Sequence, residues 1–202
     1  MKPFGWLFRI IYRVVGFVTA ILHPVTVEGM EKLPASGAML CSNHASNWDP
    51  VIIALRLPID FHLNIMAKEQ LFRIPVLKSL LPKVGAFPVN RGASDINAVK
   101  NAMRAIKNGE NLLIFPEGTR VKAEGEEQAK GGIAVIAIRT GAVLVPVFVD
   151  GEKKLFRKTR LIFGDPYTPT CTGRHGTAEE VQEIADTVLR KAYDLGRVAP
   201  CQ

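Results

Sequence analysis

Short apolar runs alternate with longer amphipathic segments along most of this chain. Seven of the runs have the length and composition of β-strands, and they span residues 25–28, 38–43, 61–66, 87–89, 111–115, 143–149 and 159–163. Helical patterns follow Asp49, Ser94, Gly132 and Thr177. Strands that alternate with helices predict an α/β fold with a mixed, largely parallel sheet flanked by helices.

Several helix ends carry recognisable signals. Thr177 and Glu180 have the spacing of a capping box, and Gly196 stands where a C-terminal glycine of the same helix is expected. Ser94 is the expected N-cap of another helix, which should end at Gly109. The segment after Gly132 is apolar on all sides, so its helix should be buried.

The N-terminal segment, residues 1–24, combines an apolar run with Lys2, Arg9 and Arg13 and contains no acidic residue. The basic residues share one stripe of a helical wheel and the apolar residues lie opposite, which predicts an amphipathic membrane-anchoring helix ahead of a domain at 25–202. A core helix, a spanning helix and a secretory signal are the alternatives. The arginines weigh against a spanning helix, because each costs about 2.5–3.5 kcal/mol at the bilayer centre. They also interrupt the apolar region that a secretory signal needs.

Composition narrows the possible functions. With 48% hydrophobic and 22% charged residues, the chain is a folded protein, and its net charge of +7 favours anionic partners. Nucleic acid is not an expected partner, because the basic residues are dispersed and no nucleic-acid-binding motif is present. Cys41, Cys171 and Cys201 form neither a disulfide framework nor a metal site. We therefore expect no metal.

His44 and Asp49 are the first candidate catalytic residues. A strand leads into His44, a polar loop follows, and Asp49 with Pro50 begins a helix. A tight loop can return the Asp49 carboxylate to the imidazole, which would make His44 a general base. The alternative is that Asp49 only caps the helix. No nucleophilic serine elbow accompanies the histidine, so the substrate would supply the nucleophile, as an alcohol does.

A second candidate site follows the strand at 111–115. Pro116 ends this strand, and the chain turns through Gly118 to leave Thr119 and Arg120 at its carboxyl end, a common ligand position in α/β sheets. Arg91 has a similar place after the strand at 87–89. Two guanidinium groups would suit a phosphate monoester, although surface ion pairs, for instance between Glu117 and Arg120, are the alternative.

A third, weaker candidate is Lys130 with Gly131, just before the apolar helix. Backbone amides and a lysine at a helix start can bind an anion or an oxyanion. No complete phosphate-binding loop or dinucleotide fingerprint accompanies them. His23, His62 and His175 lack the spacing of metal ligands.

Together these residues resemble the glycerolipid acyltransferase family. Four sequence blocks occur in the family's order over about residues 25–165, with Lys130 and Gly131 between the last two. The blocks are Asn43 to Asp49, Lys68 to Arg91, Phe115 to Arg120, and Val145 to Val147. Four ordered blocks at this spacing are far more specific than any one of them.

The resemblance implies transfer of a fatty acyl group from acyl-CoA or acyl-carrier protein to the sn-2 hydroxyl of lysophosphatidic acid, giving phosphatidic acid. It implies that His44 deprotonates the hydroxyl, that Asp49 orients His44, and that Lys130 and Gly131 stabilise the oxyanion. The residues implied for the phosphoglycerol are Arg91, Glu117, Gly118, Thr119 and Arg120. No cofactor is implied beyond the acyl donor, and the expected location is the cytoplasmic face of the membrane, peripheral or monotopic, on anionic lipids.

Three alternatives remain at this point. The acceptor can be another lysophospholipid or a hydroxylated aminolipid, or water can attack instead, which would make the protein a thioesterase. A non-catalytic protein that binds anionic lipids would use the basic helix and the arginines alone.

Overall fold

Seven strands form a single sheet in the computed structural model, which describes residues 6–90, 95–121, 125, 128–151 and 153–197. The strands are β1 (Val25–Glu28), β2 (Ala38–Ser42), β3 (Leu63–Lys68), β4 (Ala86–Val89), β5 (Asn111–Ile114), β6 (Val143–Val149) and β7 (Thr159–Phe163). Their spatial order is β1-β7-β6-β2-β5-β3-β4. Adjacent strands are parallel except for β6 and β7, which confirms the predicted fold class.

Six α-helices occur in the described part of the chain. They are α1 (Trp6–Leu22), α2 (Asp49–Arg56), α3 (Pro75–Leu80), α4 (Ile96–Lys107), α5 (Gly132–Thr140) and α6 (Ala178–Arg197). Short 3₁₀ turns span Met30–Lys32, Ile59–Phe61, Glu69–Arg73 and Leu81–Val84. The predicted start of β3 at Phe61 was wrong, because that residue ends a 3₁₀ turn and His62 has a positive φ of 51°.

The two faces of β2 pack into different halves of the core. Ala38 and Leu40 belong to the cluster that includes α2, whereas Met39 and Cys41 belong to the cluster that includes α4, α5 and α6. Helices on both faces explain why β2 is a continuous apolar run without alternation. The strand that leads into His44 is therefore fixed from both sides.

The predicted N-cap of α4 was off by one residue. The cap is Asp95, whose carboxylate accepts the amide of Ala98 at 2.9 Å, three residues along as N-cap geometry requires. Ser94 lies outside the described residues. Gly109, with φ of 77°, follows the end of the helix.

The two signals of α6 had different outcomes. The capping box is confirmed, because the Thr177 amide donates to Glu180 Oε2 at 2.8 Å and the Glu180 amide donates to Thr177 Oγ1 at 3.2 Å. Gly196 does not end the helix, which continues to Arg197. A Cβ at Gly196 would lie 2.3 Å from Cζ of Phe148, so this glycine permits close packing of α6 against β6.

Helix α1 packs against α2. The Tyr12 hydroxyl donates to the Ala54 carbonyl, and Arg9 forms an exposed ion pair with Asp60 at 2.9 Å. This ion pair directs Arg9, a member of the basic stripe of α1, toward the domain. Within the described residues, no helix combines the length and apolarity needed to cross a membrane. The domain division at residue 24 stays a prediction.

The outward side of α1 is apolar and exposed. We call this surface the α1 apolar face, and we define it as Trp6, Ile10, Val14, Phe17, Val18 and Ile21. Six large apolar side chains on one helix face form a contiguous patch of the kind that marks an interaction site.

Candidate active site

Three neighbouring strands direct their following loops to one edge of the sheet. Strand β2 lies between β5 and β6 and is parallel to both, with Cys41 opposite Ile114 and Ser42 opposite Val147. The carboxyl ends of parallel strands meet at the same edge, where α/β proteins bind their ligands. His44 follows β2, Glu117 follows β5, and the loop from residue 150 follows β6.

His44 and Asp49 lie side by side in the buried part of this edge. Nδ1 of His44 is 3.0 Å from Oδ2 of Asp49, and the two side chains are 6% and 0% exposed. The same Oδ2 accepts the amides of Ala45 and Ser46 at 2.8 and 2.7 Å. The Asp49 carboxylate thus turns back to the loop before α2, so the alternative that it merely caps this helix does not hold.

The contact between His44 and Asp49 fixes the tautomer of the His44 imidazole. A ring that donates its Nδ1–H to a carboxylate carries its lone pair on Nε2, which points away from Asp49 and can accept a proton. The ring also stacks on Phe115, with centroids 4.1 Å apart. His44 therefore has the orientation of a general base.

Lys153 is a partner of Asp49 that the sequence did not reveal. Its Nζ lies 2.6 Å from Oδ1 of Asp49, and its side chain is only 3% exposed. Burial acts to raise the pKa of Asp49, but the hydrogen bond with His44 and the charge of Lys153 outweigh burial and hold this pKa below its ordinary value. Asp49 is consequently an ionised, fully buried carboxylate.

Glu117 supports the main chain of His44. Its Oε2 accepts the His44 amide at 2.8 Å, and its Oε1 accepts the hydroxyl of Tyr193 on α6 at 2.6 Å. The side chain is buried, and burial raises its pKa to about 7 despite these two hydrogen bonds. That Glu117 holds a phosphate stays a prediction, but both of its oxygens already have partners within the protein.

Asn43 joins the His44 loop to the end of β6. Its side-chain amide donates to the Val149 carbonyl at 2.9 Å, and its Oδ1 accepts the Val149 amide at 2.9 Å. This pair of bonds continues the ladder between β2 and β6 beyond the last regular strand residue. In the sequence, Asn43 is notable only as the first residue of a motif. No local signal predicts its contact with a residue 106 positions away.

The loop after Glu117 runs beside His44. Gly118, with φ of 68°, closes a turn by donating to the Phe115 carbonyl at 3.0 Å, and the Val121 amide donates to the His44 carbonyl at 2.8 Å. Thr119 and Arg120 lie between these two contacts and are exposed. The backbone of these two residues therefore borders the His44 loop.

Three further residues, Arg91, Lys130 and Gly131, were predicted to bind an anion. Arg91 lies outside the described residues. The Lys130 amide donates to the Pro116 carbonyl at 2.8 Å, and the Lys130 stem covers Gly118, where a Cβ would come within 3.3 Å of it. A Cβ at Gly131 would lie 3.1 Å from Val181, so this glycine also serves packing. Their oxyanion role stays a prediction.

A cavity of about 1110 Å³ opens next to Phe115 and Gly118. Its apolar wall includes Met66, Val99, Met103, Ile114, Ile133 and Ile136, and its basic lining residues are Lys100, Lys130 and Arg139. An apolar cavity with a few charged groups is typical of a binding site for an amphipathic ligand. In the described part of the chain, no three potential metal-ligating side chains cluster together.

Comparison with known proteins gives a consistent result. A family model described as Acyltransferase matches residues 24–150. A 1-acyl-sn-glycerol-3-phosphate acyltransferase of Bacillus subtilis is 30% identical over 177 residues, which cover 85% of this chain and 87% of that protein. A chloroplastic 1-acyl-sn-glycerol-3-phosphate acyltransferase of Arabidopsis thaliana is 31% identical over 137 residues, which are 66% of this chain but only 38% of that longer protein.

A solved structure shares the fold. The crystal structure of PlsC, the 1-acyl-sn-glycerophosphate acyltransferase of Thermotoga maritima, superposes with a TM-score of 0.72 at 22% identity, over 100% of this chain and 86% of that one.

The raised pKa of Glu117 predicts a pH-dependent stability. Between the ordinary carboxyl pKa of 4.5 and the folded value of about 7, the folded state binds more protons than the unfolded state, so the free energy of unfolding falls as pH rises through this range. Glu117→Gln cannot ionise. We expect the stability of the wild type relative to this variant to fall by on the order of 3 kcal/mol between about pH 4.5 and pH 8, measured by urea unfolding.

Glu31→Gln, which changes an exposed carboxyl, controls for the substitution itself. A difference between the wild type and Glu117→Gln that stays constant over this pH range would show that Glu117 does not gain its proton on folding.

Proposed function

Because the chain belongs to the acyltransferase family, we propose that it transfers a fatty acyl group from an acyl thioester to the sn-2 hydroxyl of lysophosphatidic acid, which gives phosphatidic acid. The observation that carries this proposal is the buried pair of His44 and Asp49 at the carboxyl ends of three parallel strands. The names of the relatives support the choice of acceptor.

The pair can activate an alcohol directly. Nε2 of His44 takes the proton of the acceptor hydroxyl, the oxygen attacks the thioester carbonyl, and the thiolate leaves with the proton that His44 returns. The charge of Asp49 stabilises the intermediate imidazolium. General-base catalysis of this kind contributes about 10²- to 10⁴-fold.

The two nucleophilic side chains that precede His44 on β2 are not suited to form an acyl-enzyme. Cys41 is fully buried on the face of β2 that packs toward α4 and α5, and burial raises its thiol pKa far above the ordinary value. The Ser42 hydroxyl is also buried and donates to the Asn43 carbonyl. Direct transfer to the acceptor hydroxyl is therefore the route that fits the site.

Arg120 is the candidate for binding the acceptor phosphate. It is exposed, and the next residue is hydrogen-bonded to the main chain of His44. A guanidinium presents a planar pair of donors to a phosphate monoester. This arrangement would grip the head group at the rim while the neighbouring hydroxyl reaches His44.

The cavity beside Phe115 is the candidate site for the acyl donor. One ring separates it from His44, its walls are apolar enough for a fatty chain, and its basic residues suit the phosphates of acyl-CoA or of acyl-carrier protein. Either donor fits these properties.

The α1 apolar face is the candidate membrane contact. Both the acceptor and the product are lipids, and the α1 apolar face presents six large exposed side chains on a helix that packs against α2, which begins with Asp49. Inserted into the headgroup region, this face would hold the chain at the cytoplasmic surface of the membrane, and the net charge of +7 favours anionic lipids.

The function is tested with the purified full-length chain, acyl-CoA or acyl-carrier protein as donor, and a panel of lysolipids with and without a phosphate monoester. We expect phosphatidic acid, identified by mass, from lysophosphatidic acid and none from His44→Ala, because that variant lacks the base. Thiol release without any acceptor would identify a thioesterase instead. Vesicle binding without any product would identify a lipid-binding protein.

The phosphate role of Arg120 predicts a selective change in KM. Arg120→Ala should raise the KM for lysophosphatidic acid about 10- to 100-fold, since hydrogen bonds to charged groups contribute about 1.5–3 kcal/mol. The KM for the donor should change by less than about threefold. Arg190→Ala, an exposed arginine of α6, is the matched control. Equal effects of Arg120→Ala on both KM values would contradict the assignment.

Membrane binding by α1 predicts a loss of vesicle affinity on charge insertion. The double variant Val14→Glu, Phe17→Glu should weaken binding to vesicles rich in phosphatidylglycerol about 100-fold or more, because each buried side chain contributes about 1.5–3 kcal/mol. Ile96→Glu, which alters an equally exposed apolar residue of α4, should bind as the wild type does. Co-sedimentation measures both. Unchanged binding of the double variant would exclude the α1 apolar face as the anchor.

A further inference from the structure

We propose that Lys153 is a positioning residue for the acyl transfer, which it serves by holding the Asp49 carboxylate in the orientation that His44 requires. The inference rests on the proposed function and adds to it a residue outside the four sequence blocks. Lys153 lies after β6, in the loop that leads to β7.

The contact is a buried ion pair. Nζ of Lys153 is 2.6 Å from Oδ1 of Asp49, and the two side chains are 3% and 0% exposed. Nζ also donates to the carbonyl of Asp150 in its own loop. Lysine is almost never fully buried unless it is paired, and removing one partner of such a pair leaves a desolvated charge. The position of Lys153 is therefore not that of a surface charge that happens to approach the site.

The two oxygens of Asp49 have separate tasks. Oδ2 receives Nδ1 of His44 and the amides of Ala45 and Ser46, while Oδ1 receives Lys153. The hydrogen bonds at Oδ2 and the ion pair at Oδ1 together oppose rotation of the carboxylate about its Cβ–Cγ bond. Loss of the ammonium would leave Oδ1 without this partner in a site that water does not reach, and the carboxylate could then turn away from the imidazole.

The charge of Lys153 also keeps Asp49 ionised. Burial alone favours the protonated acid, and the positive charge acts against burial. Only the ionised carboxylate carries the negative charge that stabilises the imidazolium. The lysine thus acts on catalysis through Asp49 and need not touch the substrate.

The loop that carries Lys153 is held in place. At its start, Val149 is clamped by the side chain of Asn43. At its end, the amides of Phe156 and Thr159 donate to the carbonyls of Leu22 and Pro24, at 2.8 and 2.9 Å. These bonds fix one end of the loop to the segment after β2 and the other to the segment that joins α1 to β1, so the ammonium is positioned before substrate binds.

A double-mutant cycle tests the inference. Lys153→Met should lower kcat about 10- to 100-fold, a part of what a positioned base contributes, and should change the KM of either substrate by less than about threefold. Asp49→Asn should lower kcat by at least as much. Adding Lys153→Met to Asp49→Asn should cause less than about a threefold further loss, because the lysine has no carboxylate left to position.

Two controls accompany the cycle. Lys158→Met removes an exposed charge from the same loop and should keep wild-type kcat. The double variant leaves no unpaired charge buried and should melt at or above the temperature of Asp49→Asn, as followed by circular dichroism. The comparison of these two variants stands even where Lys153→Met alone is poorly folded.

Two results would overturn the inference. One is wild-type kcat in folded Lys153→Met, and the other is a double variant that falls below Asp49→Asn by the full factor of Lys153→Met. Neither result would contradict the proposed function. That function would be contradicted if the wild-type protein formed no phosphatidic acid.

Discussion

The buried carboxylate of Asp49 is the interaction on which the site depends. It lies at the start of α2 with no exposure to solvent, yet it stays ionised because His44, two loop amides and Lys153 surround it. These four partners, three hydrogen-bonded groups and one paired ammonium, come from two separate parts of the chain, the loop after β2 and the loop after β6. One carboxylate thereby closes the His44 loop into a tight turn, orients the imidazole and fixes the neighbouring loop against it.

The main chain of His44 is also fixed by hydrogen bonds on both sides. Its amide donates to Glu117 and its carbonyl accepts from Val121, so both backbone groups are bonded to the segment that follows β5. The Glu117 carboxyl is in turn tied to Tyr193 on α6. A general base is effective only when its reach to the substrate proton is short and constant, and these contacts remove the freedom that a loop residue otherwise has.

The fold separates the chemical tasks in space. The parallel strands collect the proposed base His44, its partner Asp49 and the exposed Arg120 at one edge, and an apolar cavity opens beside Phe115. Helix α1 packs on α2, whose first residue is Asp49, and it exposes a large apolar surface on its other side. A lipid surface in contact with α1 would remove this apolar area from water. It would also place the acceptor lipid near the loops that carry His44 and Asp49.

The sequence by itself determined the seven strands, the major helices and the layered α/β architecture, because apolar periodicity and capping are local signals. It also indicated that His44 and Asp49 meet, since five residues and one turn suffice to join them. The prediction for Gly196 was wrong, because this glycine makes room for the Phe148 ring of β6 and does not end the helix. The sequence also did not indicate the contacts of Asn43 with Val149, of Tyr193 with Glu117, or of Lys153 with Asp49. Only the tertiary structure decided these contacts, because the order of the strands brings together residues that are far apart in the chain. A lysine in a charged loop is expected to be solvated, and only the fold shows that it is buried.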